Sequence, residues 1–232
     1  MTPEDLAARH PRLFHVTRPE AWPSIERHGL LPPTALAAMA GLEGAAREAL
    51  LRARRGGDVT LAETPDGPLT LTDQLPLSEA ALERCLTGGM APADWIAALN
   101  ERVFLWADEA RVEGLLNARA NRARPRLVLT FDTLSLVAAY APRVALSPIN
   151  SGSTIRRPAP RGPETFTPLG AMGYEEWRRR RGRLDRVVEV TVVGGVPDAA
   201  RHLLSRRIVS PRPRSPASTR PSPSSRGSRS AR

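Results

Sequence analysis

Two short apolar runs near opposite ends of the chain each carry one ionisable residue. In Leu13-Phe14-His15-Val16-Thr17, successive side chains of a strand point to opposite faces, so His15 shares a face with Leu13 and Thr17 while Phe14 and Val16 face away. Val187-Val188-Glu189-Val190-Thr191-Val192-Val193 predicts a second strand, with Glu189 in its middle and valines on its reverse side. An ionised carboxylate in so apolar a strand is costly unless a ligand, a partner group or water meets it. Its position therefore points to a site more strongly than any surface charge does.

Helices and further strands fill the space between. Arg18 to His28 predicts a helix closed by Gly29, with Trp22 and Ile25 on its inner side and Thr17 and Glu20 at capping-box spacing. Thr34 to Arg55 is rich in the residues that favour helix, with a weak point at Gly41 or Gly44 and an end at Gly56-Gly57. Val59 to Glu63 and Leu69 to Thr72 flank the turn sequence Pro65-Asp66-Gly67 and predict a hairpin. Short helices are expected over Ser78 to Leu86 and Pro92 to Leu99. Arg102 to Trp106 and Arg126 to Phe131 read as strands, with a helix between them from about Asp108 to Asn121. Leu134 to Tyr140 reads as helix or turn, Ser147 to Pro168 as a loop, Tyr174 to Arg181 as a basic helix and Asp198 to Leu204 as a short helix. Strands interspersed with helices on a chain of this size predict an α+β domain over residues 1–209, within which 34–99 is a mostly helical segment.

Composition adds limits. The formal charge is +10 with no lysine, and Ser210 to Arg232 is nearly all proline, serine and arginine, a segment expected to be disordered. Removing its six arginines leaves +4, so basicity supports a nucleic-acid partner only weakly. Cys85 is the only cysteine and the four histidines lack metal-ligand spacing, so neither a disulfide nor a metal site is expected. No apolar run reaches signal-peptide or membrane-helix length, which predicts a cytoplasmic protein without a membrane partner. Nucleophile-elbow, Walker-type and Gly-x-Gly-x-x-Gly motifs are absent.

Leu13-Phe14-His15-Val16-Thr17, Trp22-Pro23-Ser24-Ile25 and His28-Gly29-Leu30-Leu31 together resemble the opening of the DarT-type ADP-ribosyltransferases. Val188-Glu189-Val190-Thr191-Val192 followed by Val196-Pro197 is similar to their last strand. A closer resemblance is to an uncharacterised bacterial family thought to be related to them. Its hallmarks look like Asp73-Gln74-x-Pro76-Leu77, Leu99-Asn100-x-Arg102-Val103-Phe104-Leu105-Trp106 and Leu146-Ser147-Pro148-Ile149-Asn150-Ser151-Gly152. The resemblance covers roughly residues 12–200. It implies an ADP-ribosyltransferase-like split β-sheet with NAD in the cleft between its halves, His15 hydrogen-bonding a ribose of NAD and Glu189 supporting the reacting sugar. It also implies a nucleic-acid acceptor and a toxin or defence role, in which an antitoxin partner would fit. Two departures stand out: Val103-Phe104-Leu105-Trp106 replaces the aromatic-proline run of DarT enzymes, and the segment 34–99 has no counterpart there.

Each candidate has a structural alternative. A lone histidine on an apolar strand is usually a satisfied core group, and Glu189 could pair with one of many arginines. Thr17 reads as a helix cap that can also meet phosphate. Asn150, Ser151 and Ser153 lie in a turn whose oxygens and free amides can meet a ribose, a nicotinamide amide or a phosphate, yet Asn-Ser-Gly is also ordinary turn sequence. Arg102 stands upstream of an aromatic strand, as an arginine does in DarT enzymes. Arg119, with Asn117 and Arg122, could face a pyrophosphate, although a solvated helix face is the commoner reading. Phe104, Trp106 and Phe131 read as core. Two other functions fit the same residues: a nonenzymatic nucleic-acid-binding protein on a degenerate transferase frame, and an NAD glycohydrolase.

Overall fold

The strand expected around His15 is β1 (Arg12–Thr17). In the computed structural model, which describes residues 1–118, 121, 123–155, 157–181 and 187–211, it lies inside a seven-stranded sheet. A helix the hydrophobic pattern does not announce, α1 (Pro3–Arg9), precedes it; only Leu6 is buried there, and a capping box between Thr2 and Asp5 starts it. The capping box expected of Thr17 and Glu20 does not form. Thr17 ends β1, a 3-10 turn (Pro19–Ala21) follows, and α2 (Trp22–His28) begins without a side-chain cap, because Pro19 and Pro23 occupy first-turn positions whose amides would otherwise need partners. Gly29 closes α2 with φ 77°, and a Cβ there would lie 2.2 Å from the Val196 carbonyl oxygen. Only glycine lets the chain pass so close, and Leu30 and Val196 then exchange backbone hydrogen bonds.

The long helical stretch breaks at its glycines into α3 (Pro33–Met39) and α4 (Gly44–Arg52). The hairpin forms as β2 (Val59–Thr64) and β3 (Gly67–Leu71), followed by α5 (Glu79–Cys85) and α6 (Pro92–Asn100). Next come β4 (Arg102–Trp106), α7 (Glu109–Asn117) capped by Asp108, β5 (Arg126–Asp132) and α8 (Thr133–Tyr140) capped by Asp132. The remaining elements are β6 (Val144–Ser147), β7 (Thr167–Pro168), α9 (Tyr174–Arg181), β8 (Glu189–Val193) and β9 (Leu203–Val209). Neither β6 nor β9 is expected from the pattern. All four residues of β6 are buried, which removes any alternation, and β9 is an edge strand whose middle residues are exposed. Glu189 opens β8 instead of standing in its middle. Arg119, Arg122 and, from residue 212, the basic tail fall outside the described residues.

The sheet order is β7-β6-β8-β4-β1-β5-β9, with every neighbouring pair antiparallel. Pairing is sparsest between β1 and β4. β1 is in register with β5 from Arg12↔Asp132 to Thr17↔Leu127, yet it meets β4 only at Phe14↔Trp106. Two ladders are thus joined at a single position, and His15 to Thr17 border an opening toward the first residues of β4. The fold is α+β, built on one large antiparallel sheet.

Packing holds both ladders. Leu13, Leu105, Leu129, Leu146, Val190 and Val192 bury one sheet face against α1, α8 and Trp177. Trp95 and Ile96 of α6 pack with Leu82, Ala145 and Phe166 on the other, and Phe14 and Val128 cover Val112 and Leu116 of α7. Full burial of each large apolar side chain stabilises by about 1.5–3 kcal/mol, so both sides of the opening are anchored. Among the described residues, no helix is long and apolar enough to cross a membrane.

Candidate functional site

A cavity of about 590 Å³ occupies the opening between the ladders, within the usual range for small-molecule sites. One wall is the end of β1 with α2, bringing His15, Thr17 and Arg18. The opposite wall is the start of β4, bringing Arg102 and Phe104. Glu189 and Asn150 close one end, and the β2–β3 hairpin with Thr72, Asp73, Gln74, Pro76 and Leu77 forms a third side. Two residues 174 positions apart in the chain therefore border the same hollow.

His15 is half-buried, and its Nδ1 lies 3.0 Å from the Phe104 carbonyl oxygen. A carbonyl only accepts, so Nδ1 carries the proton. Burial lowers the pKa of the ring and outweighs the opposing effect of that hydrogen bond, so the imidazole is neutral near pH 7. Its Nε2 then presents a lone pair. The side chain bonds to β4 where the β1–β4 ladder has stopped, which fixes the ring in the opening.

Glu189 is 3% exposed. The Ser151 backbone amide donates to both carboxylate oxygens at 3.3 and 3.2 Å, and the Ser151 hydroxyl donates to Oε2 at 2.7 Å. Burial pushes the carboxyl up to about 7, and the Ser151 hydrogen bonds and the charges of Arg161 and Arg111 only partly offset that. A carboxyl group titrating near neutrality at the end of a cavity suits charge stabilisation or proton exchange.

The remaining candidates separate. Thr17 and Asn150 border the cavity, as does Arg102. Ser151 does not: it is fully buried behind Glu189 and acts on the carboxylate. Ser153 also lies off the cavity; its carbonyl accepts from Arg161 at 2.9 Å and its hydroxyl from the Ile155 amide at 3.4 Å. Asn117 is exposed at the end of α7 and donates to the Glu113 carbonyl, a solvated helix face. Arg119 lies outside the described residues. Phe131 is core, Trp106 packs beside Phe14, and Phe104 alone of the three aromatics borders the cavity.

A family model described as a family of unknown function, DUF7002, matches residues 11–203. The chain belongs to the DUF7002 family. No curated protein and no solved structure matches it. All residues lining the cavity fall within the matched span.

The cavity of this DUF7002 chain is also bordered by a buried cation, Arg55, that nothing in its sequence context marks, whereas Arg18 on the β1 side is paired with Asp58. Arg55 is 8% exposed; its Nε donates to the Thr72 carbonyl at 3.0 Å and its Nη1 to Asn100 Oδ1 at 3.1 Å. Burial lowers it to about 10, with Asp73 opposing, so it stays charged at pH 7. Arg102 is desolvated as well; its Nε is buried without a partner, and its guanidinium stacks over Phe166 at 4.5 Å. In a chain with this many arginines, residue type alone cannot mark two of them. Burial against the cavity does, and burial follows from tertiary packing. Two desolvated guanidinium groups bordering one cavity suit an anion such as phosphate. Among the described residues, no group of three or more His, Cys, Asp or Glu side chains could hold a metal ion.

Proposed function

We propose that the protein is an NAD-dependent ADP-ribosyltransferase that holds NAD in the opening between its two ladders. The observation that carries this reading is that a neutral histidine and a buried carboxyl group, on strands at opposite ends of the chain, border one cavity together with desolvated arginines. NAD supplies the chemistry: the bond from ribose C1′ to the nicotinamide nitrogen breaks with its electrons leaving on nicotinamide, and an acceptor heteroatom bonds C1′ as it gives up a proton.

The residues present fit such a ligand. His15 Nε2 accepts from a ribose hydroxyl, and the Phe104 carbonyl prevents the ring from flipping to its other tautomer. Arg55 and Arg102 face the pyrophosphate, with Thr17 beside them. Phe104 offers a ring face to a flat base. Glu189, when ionised, opposes the positive charge that develops on the sugar and accepts from its hydroxyl; a preorganised group of this kind contributes about 3–4 kcal/mol to the barrier. No enzyme nucleophile is required.

The acceptor we propose is nucleic acid, which is what the resemblance to DarT-type enzymes implies and what the +4 charge left on residues 1–209 allows. The test is incubation of the full chain with NAD labelled in its adenylate phosphate and separate pools of DNA, RNA and protein. Label in a nucleic-acid pool is expected. Nicotinamide release without labelled acceptor would indicate hydrolysis instead, and no consumption of NAD in any pool would remove the reading.

A further inference from the structure

Arg161 is 2% exposed and sits outside the cavity. Its backbone is tied to the end of α5: its amide donates to the Cys85 carbonyl at 2.9 Å and its carbonyl accepts from the Thr87 amide at 2.8 Å. From there its Nη1 reaches across to the carbonyls of Ser151 at 3.0 Å and Ser153 at 2.9 Å. Trp95 Nε1 donates to the same Ser151 carbonyl at 3.4 Å. The planes layer as well: Arg161 lies over Trp95 at 5.9 Å, Trp95 stacks on Phe166 at 5.4 Å, and Phe166 carries Arg102 of the cavity wall. The far end of the turn is fixed to the α5 entrance, where Thr154 accepts from the Ser78 amide at 2.7 Å.

The side-chain donors of Arg161 and Trp95 converge on the Ser151 carbonyl. Ser151 receives donors on its carbonyl and spends its own amide and hydroxyl on Glu189. The charge of Arg161 reaches the carboxylate through space, and its hold on the Ser151 and Ser153 carbonyls fixes the turn that aims the Ser151 amide and hydroxyl at Glu189.

We propose that Arg161, backed by Trp95, is the positioning residue that fixes the Ser151 turn and so sets the orientation and charge state of Glu189. The inference rests on the transferase reading only for the purpose that orientation serves. Two charges act on Glu189 from neighbouring elements, Arg161 from this loop and Arg111 from α7, with neutral His15 elsewhere on the cavity. Loss of Arg161 leaves one cation and a weakened turn. Both changes favour the protonated carboxyl.

The test follows the Glu189 side-chain carboxyl by ¹³C NMR through a pH titration of the full chain, the signal being assigned by its loss in Glu189→Gln. Arg161→Met is expected to raise the Glu189 midpoint by roughly half a pH unit or more. Arg161→Lys, which keeps the charge and a donor, is expected to stay close to wild type. A merely structural role would lower the melting temperature of both variants and leave the midpoint in place. Should Arg161→Met fail to fold, Arg161→Gln, which retains one donor to the turn, carries the same expectation. A folded neutral variant with the wild-type midpoint overturns the inference. The readout is the carboxyl itself, so absence of NAD chemistry would leave a shifted midpoint standing, whereas NAD cleavage with an unshifted midpoint would sink this inference alone.

Discussion

His15 donates from Nδ1 to the carbonyl oxygen of Phe104 at 3.0 Å, across the gap where β1 and β4 have stopped pairing. The hydrogen bond stands in for the missing ladder and fixes which ring nitrogen faces the cavity. In long-range ¹H–¹⁵N spectra at pH 7, His15 is expected as the neutral tautomer protonated at Nδ1. It should begin to take a second proton only below the ordinary histidine range, because burial lowers its pKa. An imidazolium at pH 7, or a proton on Nε2, would contradict the role given to the ring.

Glu189 titrates near 7, and the charged form is the one that stabilises a sugar cation. Nicotinamide release is therefore expected to be weak at about pH 5.5 and to rise to a plateau above about pH 8, with one ionisation near neutrality. Glu189→Gln should lower the plateau by about 10²–10³-fold and remove that ionisation. A rate that falls as pH rises through 7 would be the wrong sign.

The same group has a measurable effect on stability. Its folded-state pKa of about 7 lies above its ordinary value of 4.5, so its contribution is fully present below about pH 4.5 and is lost as pH rises through about 7. The loss amounts to about 3 kcal/mol from the size of that shift. Glu189→Gln does not titrate. Denaturant unfolding at about pH 4 and about pH 8 should show the variant gaining on wild type by about that amount at the higher pH. A constant difference would mean that the carboxyl is not desolvated as described.

Arg55 combines a structural and a binding task. Arg55→Met leaves the Thr72 carbonyl and Asn100 Oδ1 without their donor, at a cost of about 1–3 kcal/mol. It is also expected to weaken ADP binding by at least about tenfold, as the loss of one charge-assisted contact. Arg55→Lys should recover little of either, since a single ammonium does not match the fork that spans two acceptors. Calorimetric titration with ADP and thermal unfolding of both variants would check this; wild-type ADP affinity in Arg55→Met would place the anion elsewhere.

Much of the frame can be read from the chain and part of the site cannot, for reasons tied to particular residues. β1 announces itself by alternation, and Glu189 by the cost of a charge among valines. The break between α3 and α4 follows from Gly41 and Gly44, and the hairpin from Pro65-Asp66-Gly67. The short strand β6 has no alternation because both of its faces are buried, and β9 has exposed Arg206 and Arg207 where an apolar face would be sought. Ser151 shows the limit for the site. Its turn sequence is the same whether the hydroxyl meets a ligand or a carboxylate, and only the fold, which brings residues 151 and 189 within 2.7 Å, decides. Arg55 and Arg161 are hidden for a different reason: among so many arginines, burial alone distinguishes them.

Calorimetric titration of NAD into wild type, His15→Ala and Glu189→Gln, with nicotinamide release followed in the same samples, tests the division of labour between the two residues most directly. Wild type is expected to bind and cleave NAD, His15→Ala to bind at least about tenfold more weakly, and Glu189→Gln to bind nearly as well as wild type while cleaving about 10²-fold more slowly or worse. Equal affinities and equal rates across all three proteins would contradict it.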